Sequence, residues 1–255
     1  MKARNPLTTK ESPVHEANAG GPAHQAHARG RALGKFKNLD FLATIMPCHR
    51  GQEICSQGRP AEMWYCVRSG AARRYVIRLD GRRQIVDLLL PGDCFGFTPD
   101  ADYDFAVEAV TDQTVVAGYP RRRAEMLADS DPRVSREIRQ AAFEALSRLQ
   151  SQLLIVGRIT ALEKVGSFIL EMTVRLSRAG STQVALPMSR YDIADYLAVS
   201  VETVSRSLTD LKRRGLIRLS GTRTVEIMDR EALEDGETLT HLPPACNMAR
   251  HHGTA

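Results

Sequence analysis

Residues 186–227 read LPMSRYDIADYLAVSVETVSRSLTDLKRRGLIRLSGTRTVEI, and this stretch decides the fold of the C-terminal part of the chain. Ser189 is suited to cap a short helix that ends near Leu197. Ser200 is suited to cap a second helix over 201–213. Two short helices joined by about three residues are typical of a helix-turn-helix.

The side chains between these helices have the sizes that close packing requires. Ala194 has to be small so that the helices can cross closely, and Ala198 occupies the turn position where glycine is common in such motifs. The apolar residues expected in the shared core are Ile193, Leu197, Val199, Val204 and Leu208. The segment therefore predicts a helix-turn-helix, and a helical hairpin without a DNA role is the lesser alternative.

A two-stranded wing is predicted after the second helix. Gly215 is suited to end that helix. Short apolar runs over 216–219 and 223–227 flank the turn signal Ser220-Gly221-Thr222. The C-terminal domain is therefore predicted to be a winged helix-turn-helix.

The outward face of the second helix is predicted to read DNA bases. This face presents Val201, Glu202, Ser205 and Arg206. Arg206 can donate two hydrogen bonds to guanine, and Glu202 can accept one from a cytosine amino group. Because Glu202 and Arg206 are four residues apart, the alternative is a solvated surface ion pair.

Polar and cationic residues around that face are expected to contact DNA phosphates, which position a protein but do not specify sequence. They are Ser189, Thr203, Lys212, Arg213, Arg214, Arg218 and Arg223. The whole chain carries 35 Lys and Arg against 30 Asp and Glu, and a net charge of +5 alone is weak evidence for a nucleic-acid partner. The position of the cations therefore carries the prediction that the partner is double-stranded DNA.

Short alternating runs punctuated by glycine fill residues 34–130. Leu79-Asp80-Gly81 lies between two of these runs as a hairpin signal. About six to eight such strands with regular turn signals predict a β-roll or sandwich. Residues 1–33 and 235–255 contain few large apolar side chains, so we expect a disordered N-terminal tail and a flexible C-terminal tail.

A long helix is predicted over 131–157, with Asp131 as its cap and Pro132 at its first position. Its apolar stripe comprises Ile138, Ala142, Ala145, Leu149, Leu153 and Val156. A long helix with one apolar stripe packs against another surface, and two surfaces stay open: a second copy of the chain or the chain's own β domain. Arg148 lies off this stripe. Residues 158–234 are assigned to the winged-helix domain, which begins with a further helix at about 160–178.

The composition is typical of a soluble globular protein. The chain has 255 residues, of which 43% are apolar and 25% charged, which allows one or two domains. No apolar run approaches the roughly 18 residues of a membrane span. The first 30 residues contain no signal-peptide-like segment, so we expect a cytoplasmic protein without a membrane partner.

The cysteines and histidines suggest neither a cofactor nor a catalytic site. The five cysteines are odd in number and irregularly spaced, so we expect free thiols rather than a disulfide framework. The histidines lie mainly near the two ends of the chain, with His49 inside the roll, which favours neither a metal site nor a triad. Because the dinucleotide, zinc-protease and nucleophile-elbow motifs are also missing from the sequence, we expect no enzymatic activity.

Taken together, residues 40–230 resemble the CRP/FNR superfamily of bacterial transcription regulators. The resemblance is carried by the glycines of the roll, by PGDCFGF at 91–97, by the long helix and by the winged helix-turn-helix. ETVSR at 202–206 is similar to the E-x-x-S-R of the FNR branch, which reads TTGA-type half-sites. Residues 186–214 look most like the FixK subgroup, which acts in micro-oxic and nitrogen-fixation regulation.

This resemblance implies an α+β fold with an N-terminal cyclic-nucleotide-binding-like β-roll, a long dimerisation helix and a C-terminal winged helix-turn-helix. It implies a homodimeric activator that meets RNA polymerase and reads bases with Glu202, Ser205 and Arg206. Val201 would pack beside them on thymine methyl groups. The six residues of the apolar stripe would form the dimer interface.

Two departures from the superfamily bear on cofactors. Residues 1–47 contain no cysteine, unlike the cysteine-rich N-terminus of oxygen sensors with an iron–sulfur cluster. FGFTPD at 95–100 lacks the acidic residue and the arginine with which relatives hold a cyclic nucleotide. We therefore expect no cofactor. The alternative function is a ligand-gated sensor whose roll binds a small effector and controls DNA affinity.

Overall fold

The computed structural model describes residues 35–176 and 181–235. Both predicted tails lie outside these residues, apart from Asp235. The N-terminal strands are β1 (Thr44–Cys48), β2 (Glu53–Cys55), β3 (Met63–Ser69), β4 (Ala72–Ile77), β5 (Arg83–Leu89), β6 (Cys94–Phe95), β7 (Ala106–Ala109) and β8 (Thr114–Pro120). The helices that follow are α1 (Arg121–Ser130), α2 (Pro132–Val156) and α3 (Ala161–Leu176). The C-terminal elements are β9 (Gln183–Ala185), α4 (Arg190–Leu197), α5 (Val201–Arg213), β10 (Ile217–Ser220), β11 (Thr224–Ile227) and α6 (Arg230–Glu234).

The eight N-terminal strands form the predicted roll. They pair in two antiparallel four-stranded sheets, ordered β1-β8-β3-β6 and β2-β7-β4-β5. Val67 and Val116 from one sheet and Leu89 and Val107 from the other are buried in one cluster, so the two sheets pack face to face. The predicted turn at Leu79-Asp80-Gly81 joins β4 to β5, and Gly81 has the positive φ of 78° that such a turn requires.

The long helix begins and ends as predicted, but a further helix precedes it. Asp131 caps α2 by accepting a hydrogen bond from the backbone N–H of Arg133 at 2.8 Å. Helix α1 corrects the expectation that 34–130 consists of strands. Its sequence RRRAEMLADS buries only Ala124, so its apolar periodicity is too weak to predict a helix.

Helix α2 divides its surface between the roll and the solvent. Every seventh residue from Val134 to Ile155 is buried, and Arg148 is one of these inward positions rather than a side chain on an outer face. The opposite face carries exposed large apolar side chains: Phe143, Leu146, Leu153 and Leu154, with exposures of 58%, 50%, 72% and 73%. Of the predicted stripe, Leu153 is exposed, and the half-buried members are Ile138, Ala142, Ala145, Leu149 and Val156. The chain's own roll therefore covers one side of α2 and leaves an outward apolar face.

The winged helix-turn-helix has the predicted elements and one additional strand. Strands β10 and β11 pair as the wing, with Ile217 opposite Ile227 and Ser220 opposite Thr224. Strand β9 extends this sheet on the other side of β11, which the sequence did not predict. Because β9 has only three residues, its pattern is too short to show a period.

The cysteines correct the expectation of free thiols. Cys66 and Cys94 form a disulfide between β3 and β6, where they are register partners. Cys48 and Cys55 are free and buried. Cys246 lies outside the described residues. A separation of 28 residues along the chain gives no sign that Cys66 and Cys94 meet across two strands.

One hydrophobic core joins the roll to the C-terminal domain. Ile85 and Leu88 of β5 belong to the same buried cluster as Phe168 of α3, Tyr196 of α4 and Leu208 of α5. The helix-turn-helix is therefore packed against the roll of its own chain. Among residues 35–176 and 181–235, no helix is long and apolar enough to cross a membrane.

Candidate nucleic-acid interface

The turn of the helix-turn-helix is built by side chains that lie close together in the sequence. The Ser189 hydroxyl accepts a bond from the backbone N–H of Asp192 at 3.2 Å, and the Asp192 carboxylate accepts one from the backbone N–H of Ser189 at 2.9 Å. This capping box starts α4. Ser200 starts α5 by accepting a hydrogen bond from the backbone N–H of Thr203 at 3.1 Å. Both predicted caps are therefore present.

Ala198 ends α4 in a left-handed conformation, with φ 54° and ψ 46°. Among the described residues it is the only residue other than glycine with a positive φ. A Cβ makes this conformation unfavourable, which explains why glycine is common at this position of the motif. The backbone N–H of Val199 bonds back to the carbonyl of Ala194 at 3.1 Å, so the chain reverses tightly between the two helices.

Helix α5 separates a buried face from an outward face. Its buried residues are Val204, Ser207, Leu208 and Leu211. Of the four predicted base-reading residues, Glu202 and Arg206 are exposed, and Val201 and Ser205 are half-buried. The structure therefore leaves Glu202 and Arg206 uncovered at the N-terminal half of the helix, the part of a recognition helix that meets base edges, whereas Val201 also packs against the core.

Glu202 is held in its anionic form. Hydrogen bonds from its own backbone N–H and from the Ser200 hydroxyl lower the pKa of the Glu202 carboxyl, and the Arg206 charge adds to the effect. An ionised carboxylate is a pure hydrogen-bond acceptor, the form required to accept from a cytosine amino group.

The predicted phosphate contacts differ in how freely they can reach a ligand. Lys212 is exposed at the end of α5. Asp210 pairs with Arg213 at 2.5 Å and with Arg214 at 3.0 Å, and the Arg214 side chain is only 13% exposed. Arg214 therefore has little surface to offer a phosphate, whereas the Arg213 side chain is 57% exposed.

The wing carries two further predicted contacts. Arg218 pairs with Glu226 across the wing strands at 3.0 Å. Arg223 donates to the carbonyl of Pro187 at 3.4 Å. Both arginines are exposed, and an exposed ion pair such as Arg218–Glu226 contributes little stability, so it holds Arg218 only weakly.

The two hydroxyl contacts already have partners within the motif. The Thr203 hydroxyl lies 3.0 Å from that of Ser200, and the Ser189 hydroxyl donates to Asp192 at 2.7 Å. A phosphate bond from either would have to share or replace these bonds.

Sequence reasoning missed the roll residues that hold α4. Arg73 of β4 pairs with Asp192, and Arg83 of β5 pairs with Asp195 at 3.0 Å. Because Arg73 and Asp192 are 119 residues apart, no local pattern could have joined them. The sequence offers one signal for such a contact: Asp192 and Asp195 place two carboxylates on the short helix α4. It does not show which surface carries their cationic partners.

Comparison with known proteins agrees with both halves of the fold. Residues 46–131 match a cyclic nucleotide-binding domain, and residues 163–235 match a Crp-like helix-turn-helix domain. The nitrogen fixation regulation protein FixK of Rhizobium meliloti is 42% identical over 193 residues, which cover 76% of this chain and 85% of that protein.

More distant relatives and a solved structure extend this result. The transcriptional activator protein anr of Pseudomonas aeruginosa is 30% identical over 80% of this chain and 90% of its own. The structure of FixK2 from Bradyrhizobium japonicum superposes with a TM-score of 0.70 at 39% identity, covering 75% of this chain and 96% of that one.

Proposed function

The chain belongs to the CRP/FNR family of transcription regulators, in its FixK group, and from this membership we propose that it binds a TTGA-type palindrome as a homodimer and activates genes of micro-oxic or nitrogen-fixation metabolism. Proteins of this family are transcription regulators and not enzymes, in agreement with the expectation from the sequence. The named relatives favour this function over the ligand-gated sensor.

The uncovered face of α5 carries the proposal. Arg206 offers paired donors that suit guanine O6 and N7, and ionised Glu202 offers an acceptor that suits the cytosine amino group. Val201 supplies an apolar surface for a thymine methyl group. A TTGA half-site contains these chemical groups, since it has one G·C pair flanked by A·T pairs.

The outward face of α2 supports the dimer. A second copy is its natural occupant, because the exposed apolar side chains at 143, 146 and 153 follow the spacing of a helix–helix seam. A two-fold dimer places its two recognition helices in successive major grooves, so the half-sites should lie about one helical turn apart. RNA polymerase is the second macromolecular partner that an activator of this kind requires.

The test uses a fluorescent duplex with two TTGA-type half-sites and a scrambled duplex of equal length. Arg206→Ala should reduce the preference for the palindrome by about 5- to 150-fold, because one bidentate base contact discriminates by about 1–3 kcal/mol. Lys212→Ala is the matched control, since it removes an exposed cation from the same helix. It should weaken binding to both duplexes about equally. An unchanged preference in Arg206→Ala would refute the base-reading role.

A further inference from the structure

Helix α4 is tied to the roll by ion pairs that cross the domain boundary. A guanidinium nitrogen of Arg73 on β4 contacts the Asp192 carboxylate, and the other terminal nitrogen lies 2.7 Å from Glu108 of β7. Arg83 of β5 lies 3.0 Å from Asp195 through Nη2, and the same atom lies 3.7 Å from Asp192. Two arginines of one sheet therefore hold two carboxylates of α4.

Neutral hydrogen bonds reinforce these pairs at the C-terminal end of α4. The Gln84 side-chain amide of β5 donates to the carbonyl oxygen of Asp195. The Gln152 amide of α2 donates to the carbonyl of Ile85 at 3.1 Å and to that of Tyr196 at 3.4 Å. Helix α4 is therefore held from the roll and from the long helix at once.

These contacts leave the recognition surface open. Glu202 and Arg206 are exposed on α5 while α4 is docked on the roll. The docked arrangement is therefore compatible with base reading, and it is not an autoinhibited arrangement in which the roll covers the recognition helix.

We propose that Arg73 and Arg83 are positioning residues for DNA recognition: by holding Asp192 and Asp195 they set the orientation of the helix-turn-helix on the roll, and so the distance between the two recognition helices of a dimer. This inference rests on the proposed dimeric, palindrome-reading function. It extends that function by assigning a DNA-binding role to residues of the β-roll.

The physical reason is the geometry of a two-site ligand. Domains of one chain move relative to one another unless a large apolar interface fixes them. Here the shared core joins the two domains, and the directional ion pairs of α4 add the angle at which they sit. When both half-sites are bound, the second contact gains from a high effective concentration only if the second recognition helix already points at its groove. Loosening α4 therefore weakens binding to the palindrome without changing which bases are read.

The Arg83–Asp195 pair provides the test, because Asp192 also caps α4 and its loss would disturb the helix itself. Asp195→Ala removes a negative charge, so long-range attraction to DNA alone would strengthen binding. The positioning role requires the opposite effect, a decrease of about five- to tenfold in affinity for the palindrome. Asp80→Ala is the matched control: Asp80 is half-exposed, lies on the β4–β5 turn and pairs with Arg82 of the same turn at 3.2 Å. It should leave binding unchanged or slightly stronger.

A double-mutant cycle completes the experiment. Arg83→Ala should also lower the affinity for the palindrome by about five- to tenfold, which is more than Arg82→Ala should. The double variant, Arg83→Ala with Asp195→Ala, should lose no more affinity than either single variant. The loss of affinity relative to wild type should be smaller on palindromes whose half-sites are moved apart or together by one base pair, since a loosely held helix-turn-helix tolerates altered spacing. Thermal unfolding of each variant shows that the fold is retained.

The outcomes separate the two proposals. Two results would show that Arg83 does not position the helix-turn-helix. One is that Asp195→Ala binds the palindrome as tightly as Asp80→Ala. The other is that the affinity of the double variant falls by the product of the two single-variant factors. If the wild-type chain shows no preference for the palindrome over the scrambled duplex, the proposed function itself is wrong. A wild-type preference that Arg206→Ala removes, together with an unaffected Asp195→Ala, refutes only the positioning role.

Discussion

Replacing Arg148 with methionine is expected to lower the free energy of unfolding by about 3–5 kcal/mol, the cost of breaking a buried ion pair from one side. Arg148 reaches from α2 into the roll, where its Nε and Nη2 both lie 3.2 Å from Asp87 Oδ2. Nη1 lies 3.5 Å from Asp93 Oδ1, and Nη2 donates to the carbonyl of Cys94 at 3.0 Å. Methionine occupies much of the same volume but has no donor to offer.

The removal of the Arg148 guanidinium mainly affects Asp87. Asp93 keeps Arg175 at 2.6 Å and the backbone N–H of Leu90 at 2.8 Å, so its charge stays compensated. The Asp87 side chain is only 3% exposed and loses the guanidinium that it contacts directly, although the charges of Arg74 and Arg175 still act on it from farther away. Removing that carboxylate charge as well, in Asp87→Asn with Arg148→Met, should recover about half or more of the lost stability, because an unpaired buried charge costs more than an unpaired amide.

Urea unfolding measures the effect through the fluorescence of Trp64, the single tryptophan, which is buried in the roll. All variants are compared at one protein concentration, since dissociation of the proposed dimer would contribute to apparent stability. Arg139→Met is the matched control, because Arg139 is exposed on the same helix and its loss should change stability by about 0.5 kcal/mol or less. The reasoning fails if Arg148→Met unfolds like Arg139→Met, or if the double variant is as unstable as Arg148→Met.

Three further outcomes are expected. Ala198→Gly should raise the urea midpoint and increase the free energy of unfolding by up to about 1 kcal/mol, because glycine tolerates the left-handed conformation at this turn. Operator binding should stay unchanged, and a lower midpoint would contradict the role of that conformation. Leu146→Glu combined with Leu153→Glu should convert the proposed dimer to a monomer in sedimentation experiments and reduce palindrome binding, and a dimer retained by this variant would place the interface elsewhere. Burial acts to raise the pKa of Asp192, but hydrogen bonds from Ser189 and the Arg73 charge outweigh it and lower the pKa. The Asp192 contribution to stability is therefore present above about pH 4 and is lost as the pH falls through the lower pKa of the folded state, so the stability gap between wild type and Asp192→Asn should narrow below about pH 4.

The parts of the site that the sequence predicts are those whose partners lie within one turn of helix. Ser189 and Asp192 are three residues apart, as are Ser200 and Thr203, so the caps and the turn follow from local chemistry. The periodicity of α5 likewise identifies its outward face, since a helix that buries Val204 must expose Arg206.

The parts that the sequence does not predict depend on partners far away along the chain. Arg148 looks like a solvent-facing charge on its own helix, because Asp87 lies 61 residues earlier and its place in the roll depends on the sheet register. The pairing of Cys66 with Cys94 has the same origin. The outward apolar face of α2 also depends on the roll. Phe143 and Leu146 are exposed there although they do not belong to the predicted stripe, because the position of the roll decides which side of the helix is covered.

The charges at the centre of the molecule differ in how easily their contacts can be broken. Arg148 and Asp87 are almost fully buried, so separating them would strand a charge and α2 is fixed to the roll. Arg83 and Asp195 keep exposures of 28% and 35%, and exposed pairs contribute about 1 kcal/mol or less. When α4 moves away, Arg73 retains Glu108 at 2.7 Å, so undocking leaves no buried charge without a partner. The long helix that would join two copies is therefore fixed to the roll by a buried pair. The shared core also holds the helix-turn-helix on the roll, but the polar contacts that orient α4 are partly exposed, so a single substitution at Arg83 or Asp195 can loosen them.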